Sequence, residues 1–85
     1  MTKPLGVRVD LEANAGYVSY RLGEVAGTLD VWHDGRVAAD LDDAGNVLGI
    51  EVLGFDDKTL AQARMFAEDR GLAFPQHLEG NLVTA

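Results

Sequence analysis

The chain has 85 residues, 47% of them hydrophobic, no cysteine and a net charge of −7. That length supports one domain, 1–85, with a single thin core, and the missing cysteine removes disulfide staples while fitting a reducing compartment. The acid excess points away from nucleic acid, because a phosphate-binding surface clusters its cations and here Lys3, Arg8, Arg21, Arg36, Lys58, Arg64 and Arg70 are scattered.

No stretch approaches the roughly 20 apolar residues of a membrane span. The opening Met1-Thr2-Lys3-Pro4-Leu5-Gly6 holds no apolar run of the kind a signal peptide needs. The expected location is the cytoplasm, with no membrane partner. An acidic chain favours solubility and, where it has a partner, a cationic one.

In chain order, Val7 and Val9 alternate with Arg8 and Asp10 and predict a first strand at about 6–10. Leu11 to Gly16 reads as a loop. Tyr17-Val18-Ser19-Tyr20-Arg21-Leu22 is rich in β-formers and predicts a second strand, with Val18, Tyr20 and Leu22 on one face. Gly23 to Gly27 loops out, and Thr28 to His33 predicts a third strand with Leu29 and Val31 inward and Asp30 and Trp32 outward.

Asp34-Gly35 is a turn signal. A two-residue turn there would mix faces, whereas the loop Asp34-Gly35-Arg36 pairs Leu29 with Leu41 and Val31 with Ala39. Because a one-residue slip flips every side chain, the odd loop or a bulge is expected. The next hairpin spans Val37 to Leu53 around an Asp43-Ala44-Gly45-Asn46 loop. It pairs Leu41 with Leu48, Ala39 with Ile50 and Val37 with Val52, all apolar. Gly45 and Asn46 tolerate the positive φ that such a loop needs.

After Leu53-Gly54-Phe55 the period changes. Asp56 or Asp57 can cap a helix over about 57–70, in which Leu60, Ala63, Phe66 and Ala67 form one stripe while Gln62, Glu68 and Asp69 fall elsewhere. Arg70 suits the dipole at the C-terminal end and Gly71 the left-handed stop. The predicted architecture is α+β: an antiparallel β-meander of about five short strands over 5–55, one helix within 56–71 packed on the sheet, and a tail at 72–85. Leu72 and Phe74 are candidates to pack back, and the last few residues are expected to be loose.

The most tempting chemistry is a calcium loop. Asp40-x-Asp42-x-Ala44-Gly45-x5-Glu51 has EF-hand spacing at loop positions one, three, six and twelve. Ala44 and Leu48 stand where oxygen ligands are wanted, and strand alternation leads into the loop where a helix should. No metal is therefore expected. Asp30, Asp40, Asp42 and Glu51 share the outer face of the predicted sheet, but a solvated face does not part carboxylate pKa values as catalysis requires.

His33 and His77 lie far apart in the chain, and Ser19 is the only serine, placed mid-strand with no nucleophile elbow. The glycines form no phosphate-binding pattern. No catalytic residue and no cofactor is expected, and an enzyme is not. Trp32 stands out: in this register it projects outward with Tyr17 beside the acids, as an interface aromatic would. The alternative is burial under Leu72 or Phe74.

Two motifs carry a resemblance. Asp40-x-Asp42-x-x-Gly45-x-Val47-x-Gly49-Ile50-Glu51-Val52-Leu53, with Asp10-x-Glu12-Ala13-Asn14-Ala15-x-Tyr17-Val18 upstream at a similar spacing, resembles the small bacterial proteins grouped as domain of unknown function 2283. The likeness covers about residues 7–55. Asn14 departs from a position where the family commonly has an acid, and Leu41 from one where it often has an aromatic.

The resemblance implies a small antiparallel β domain with no known activity. It also implies, by analogy with members encoded beside small toxin-like proteins, an antitoxin-like or partner-binding role. The leading expectation is a non-enzymatic protein-interaction module, the acidic partner of a basic protein or a homodimer through the sheet. Its candidate contact residues are Trp32, Tyr17, Asp30, Asp40 and Glu51. The alternative is a small-ligand or cation-binding domain using the acidic sheet face.

Overall fold

The computed structural model describes residues 1–76 and Leu78. Its elements are β1 (Gly6–Asp10), β2 (Ala15–Ser19), β3 (Gly27–Asp30), β4 (Val37–Leu41), β5 (Val47–Val52) and α1 (Asp57–Asp69). The strands form one five-stranded antiparallel sheet in the order β1-β2-β5-β4-β3. A β1–β2 hairpin and a β3–β4–β5 meander are thus joined where β5 pairs with β2, giving the expected α+β meander with one C-terminal helix. Among the described residues no helix is long and apolar enough to cross a membrane.

Alternation puts one apolar row across the whole sheet. Val7 faces Val18, Val18 faces Ile50, Ile50 faces Ala39 and Ala39 faces Leu29. Val18, Ile50 and Ala39 are wholly excluded from solvent, and burying a side chain such as Ile50 stabilises by about 1.5–3 kcal/mol. Ala63, Phe66 and Ala67 of α1 join the same cluster, as do Phe74 and Leu78 of the segment after it. The helix lies over β4 and β5. Leu78 instead packs over Gly16 on β2, where an added Cβ would come within 3.4 Å of its Cδ1.

The helix ends are set by local chemistry. Asp56 is the N-cap: its Oδ2 accepts from the Thr59 N–H at 3.1 Å and its Oδ1 from the Thr59 hydroxyl at 2.8 Å. Those bonds, chiefly the hydroxyl's, hold its carboxyl below the usual range. At the other end Gly71, at φ +71, lets its own N–H reach the Glu68 carbonyl and the Leu72 N–H reach that of Ala67, a Schellman stop. Thr2 then straps the exit: its N–H bonds the Gly71 carbonyl and its carbonyl accepts from Ala73, both at 2.8 Å.

Several expectations are corrected. The second strand begins earlier, at Ala15, and stops at Ser19, because the Tyr20 and Arg21 N–H groups both turn to one acceptor, the Leu48 carbonyl. The chain then leaves the sheet, so Leu22 does not share the buried face of Val18 and Tyr20 but is 89% exposed. The third strand ends at Asp30, not His33, since Asp30 Oδ1 accepts from the His33 N–H and His33 sits at φ +62.

The turn at Asp34-Gly35 is present, with Gly35 at φ +77, but the loop is wider than expected. Val31 closes it by donating to Val37 at 2.9 Å, so Leu29 faces Ala39 and not Leu41. The slip is of even parity and keeps both side chains on the inner face. In the next hairpin the Ala39–Ile50 and Val37–Val52 pairs are as expected. A bulge after Asp40 replaces Leu41–Leu48 with Leu41–Val47. Leu48 is buried outside the main cluster, against Gly23.

On the helix, Gln62 is buried with its Oε1 unpartnered, and Leu60 is only half-buried, so the buried stripe is rotated toward Thr59 and Gln62. Leu72 is half-buried and Phe74 buried, as packing back requires. The expectations for His77 and for 79–85 fall outside the described residues.

Leu78 is 1% exposed, so its removal tests whether the segment after α1 is part of the core. Leu78→Ala is expected to lower the unfolding free energy in urea by about 2–5 kcal/mol. A change under about 0.5 kcal/mol, typical of surface positions, would mean that this segment is not docked.

Candidate acidic sheet face

The face opposite the helix is built from the alternate residues of each strand. Cross-strand register lines up Arg8, Tyr17, Glu51, Ala38 and Asp30 in one row, and Gly6, Ser19, Gly49, Asp40 and Thr28 in the next. Four of the expected contact residues, Tyr17, Asp30, Asp40 and Glu51, therefore do share this face. Trp32 does not join them. The sheet ends before it, and the Trp32–Arg36 loop brings it to the helix side, where it lines a shallow groove with Val31, Met65, Phe66, Asp69 and Arg70. It is 47% exposed there and is not covered by Leu72 or Phe74, which do not line that groove.

One side chain crosses the face diagonally. The Tyr17 hydroxyl donates to Asp40 Oδ2 at 2.9 Å, passing from β2 over β5 to β4. It can do so because position 49 is glycine, where a Cβ would collide with the phenol ring. Thr28 of β3 donates its hydroxyl to the other oxygen, Oδ1, also at 2.9 Å. A single carboxylate thus ties β2, β4 and β3 together. Partial burial, then the bond to Asp40, pushes the Tyr17 phenol up to about 12, so it stays a protonated donor to Asp40 well above neutral pH.

The other acids have local duties of different kinds. Asp42 accepts from the Ala44 and Asn46 N–H groups at 3.0 and 2.8 Å and from the Asn46 side-chain amide at 3.1 Å, and it organises the turn. The Asn46 amide in particular holds its carboxyl below the usual range. Asp30 anchors the His33 turn. Glu51 is exposed, and beside it Arg8, Asp10, Leu11 and Tyr17 border an open hollow of about 800 Å³. Of the three carboxylates that calcium-loop spacing singles out, Asp40 is turned to two hydroxyls and Asp42 to a turn, while Glu51 is exposed.

Sequence reading placed Thr28 only as the start of a strand and missed its bond to Asp40, and it missed what packs on Gly49. The signal available for the second was an isolated glycine inside a strand, which marks a close approach. No family model, no curated protein and no solved structure matches the chain.

The Tyr17–Asp40 bond is open to test. Tyr17→Phe is expected to cost about 0.5–1.5 kcal/mol by urea unfolding. Gly49→Ala should cost more, because it also expels the ring, and should erase most of the effect of a further Tyr17→Phe change. Additive losses would show that ring and glycine do not interact. Tyr20, likewise raised to about 12 by burial, gives a pH test with Tyr17. Both phenols ionise later in the folded than in the unfolded chain, so they contribute stability that is fully present below pH 10 and is lost as pH rises toward 12. Phenolate absorbance should show neither tyrosine titrating at 10 while the fold persists.

Proposed function

We propose that this chain is a non-enzymatic interaction module, the acidic partner of a basic protein, acting as an antitoxin-like subunit. The observation that carries this reading is the layout of the sheet. The helix, Phe74 and Leu78 pack on one face, and on the other the described strand residues carry Asp10, Asp30, Asp40 and Glu51 with one cation, Arg8. A field of one sign steers oppositely charged proteins and raises their association rate.

The chemistry of the face supports binding over turnover. Its phenol is held protonated, and Asp40 and Asp30 are held by hydroxyl and amide donors. Glu51 and the outward edge of Asp30 are left to meet a cation. Of the carboxylates that the cation-binding alternative would use, Asp40 and Asp42 accept hydrogen bonds within the chain and Glu51 is exposed.

The test is affinity capture from the source cells at low salt, followed by light scattering of the purified complex. A basic protein held in fixed stoichiometry is expected, with association slowed several-fold by Asp30→Asn with Glu51→Gln and a flatter salt dependence. A chain that stays monomeric and retains nothing basic would contradict the reading.

A further inference from the structure

The acidic face runs to an edge that the described elements leave open. β3 is the last strand of the sheet and is exposed along its length. Val31 donates to Val37 of the neighbouring strand, so by alternation Leu29 also turns its backbone toward β4. The N–H and C=O groups of Thr28 and Asp30 then point away from the sheet.

Proteins guard such edges with lysine, proline, bulges or a covering element. The opposite edge follows that rule, with Lys3 and Pro4 leading into β1 and Arg8 within it. β3, Gly27-Thr28-Leu29-Asp30, has no cation, no proline and a regular register. Among the described residues the helix lies over β4 and β5 and stops short of it.

The two sides of this edge differ. On the helix side stand Leu29, Val31, Trp32 and Met65, of which Leu29, Trp32 and Met65 are exposed. On the other side stand Thr28 and Asp30, with Asp40 behind them. A strand laid along β3 would meet apolar surface with every second side chain and the Thr28–Asp30 side, which carries the Asp30 carboxylate, with the rest.

We propose that β3 accepts an extended segment of the partner as a sixth strand, in which cationic residues alternate with apolar ones. The cations face Asp30 and the apolar residues cover Leu29, Val31 and Trp32. Charge selects the occupant: a second copy of a chain with net charge −7 is repelled, and a basic strand is attracted. The inference rests on the basic-partner reading above and adds where and how that partner binds.

The probe is a synthetic peptide of about ten residues alternating Lys or Arg with Val or Ile, set against a peptide of the same composition with its cations in one block, enough to outrun the strand. Binding to the full chain is read by fluorescence anisotropy. The alternating peptide is expected to bind at least about tenfold more tightly, since only it satisfies both sides and the edge hydrogen bonds. Backbone N-methylation of one alternate set of its residues should abolish that advantage, and methylation of the other set should spare it. On the protein, Thr28→Pro should lose binding by a similar factor, while Thr28→Val, which keeps the N–H and drops the hydroxyl, should retain it. The peptide comparisons stand if Thr28→Pro does not fold.

Equal binding by both peptides, or by both N-methylated forms, would overturn strand addition while leaving the basic-partner reading intact. No binding by either peptide, with a basic protein still captured from cells, would also overturn it. Failure of both experiments would remove both claims.

Discussion

The fold depends on β5 being paired on both sides. Ile50 meets Val18 of the first hairpin and Ala39 of the meander, and Val52 meets Gly16 and Val37. Among the described residues no other strand pairing joins the two halves of the sheet: without β2–β5 there remain a β1–β2 hairpin and a β3–β4–β5 meander, and without β4–β5 a β1–β2–β5 sheet and a β3–β4 hairpin. A hairpin alone is marginal in water. The helix, Phe74 and Leu78 complete the same cluster from above, the helix over β4 and β5 and Leu78 over β2. A chain of this size has only one core to build, and its centre is this strand.

The same strand sets the character of the other face. At Gly49 it has no side chain, and the Tyr17 ring uses that gap to reach Asp40. With Thr28 on the second carboxylate oxygen, the bond links strands that do not all touch one another. Asp40, which spacing alone would offer to a metal, is thereby a structural acceptor. The charge it carries still adds to the field of Asp30 and Glu51. The acids of this surface differ in what they meet: Asp40 and Asp30 accept hydrogen bonds from the chain, and Glu51 is exposed.

Much of this was legible in the residues. The alternation of Val37, Ala39, Ile50 and Val52 specified the central hairpin, because any odd slip would bury Glu51 and Asp40. Asp56, the Ala63–Phe66–Ala67 stripe and Gly71 marked the helix and both its ends. What the residues did not reveal was the width of the loop after β3, the bulge after Asp40 and the burial of Gln62. Parity fixes a face but not a register, so Leu29 slid to Ala39 without any change in pattern. Trp32 lies on the helix side and not the outer face because the strand stops at Asp30 and does not run on to His33, whose positive φ an alternating pattern cannot reveal. The Tyr17–Asp40–Thr28 tie joins three segments that only tertiary pairing brings together. For the candidate site, the four outer-face residues were found from alternation, and the open β3 edge was not, since strand order is a property of the sheet and not of any one strand.

The most direct measurement is amide hydrogen exchange by NMR, with the captured basic protein absent and present. In the free chain Leu29 and Val31 should exchange slowly and Thr28 and Asp30 quickly, as members of a ladder paired on one side only. With the partner bound, slowing confined to Thr28 and Asp30, with shifts at Trp32, Met65 and Glu51, is the predicted result. Slowing along β1 instead, or early protection of Thr28 and Asp30 in the free chain, would contradict the account.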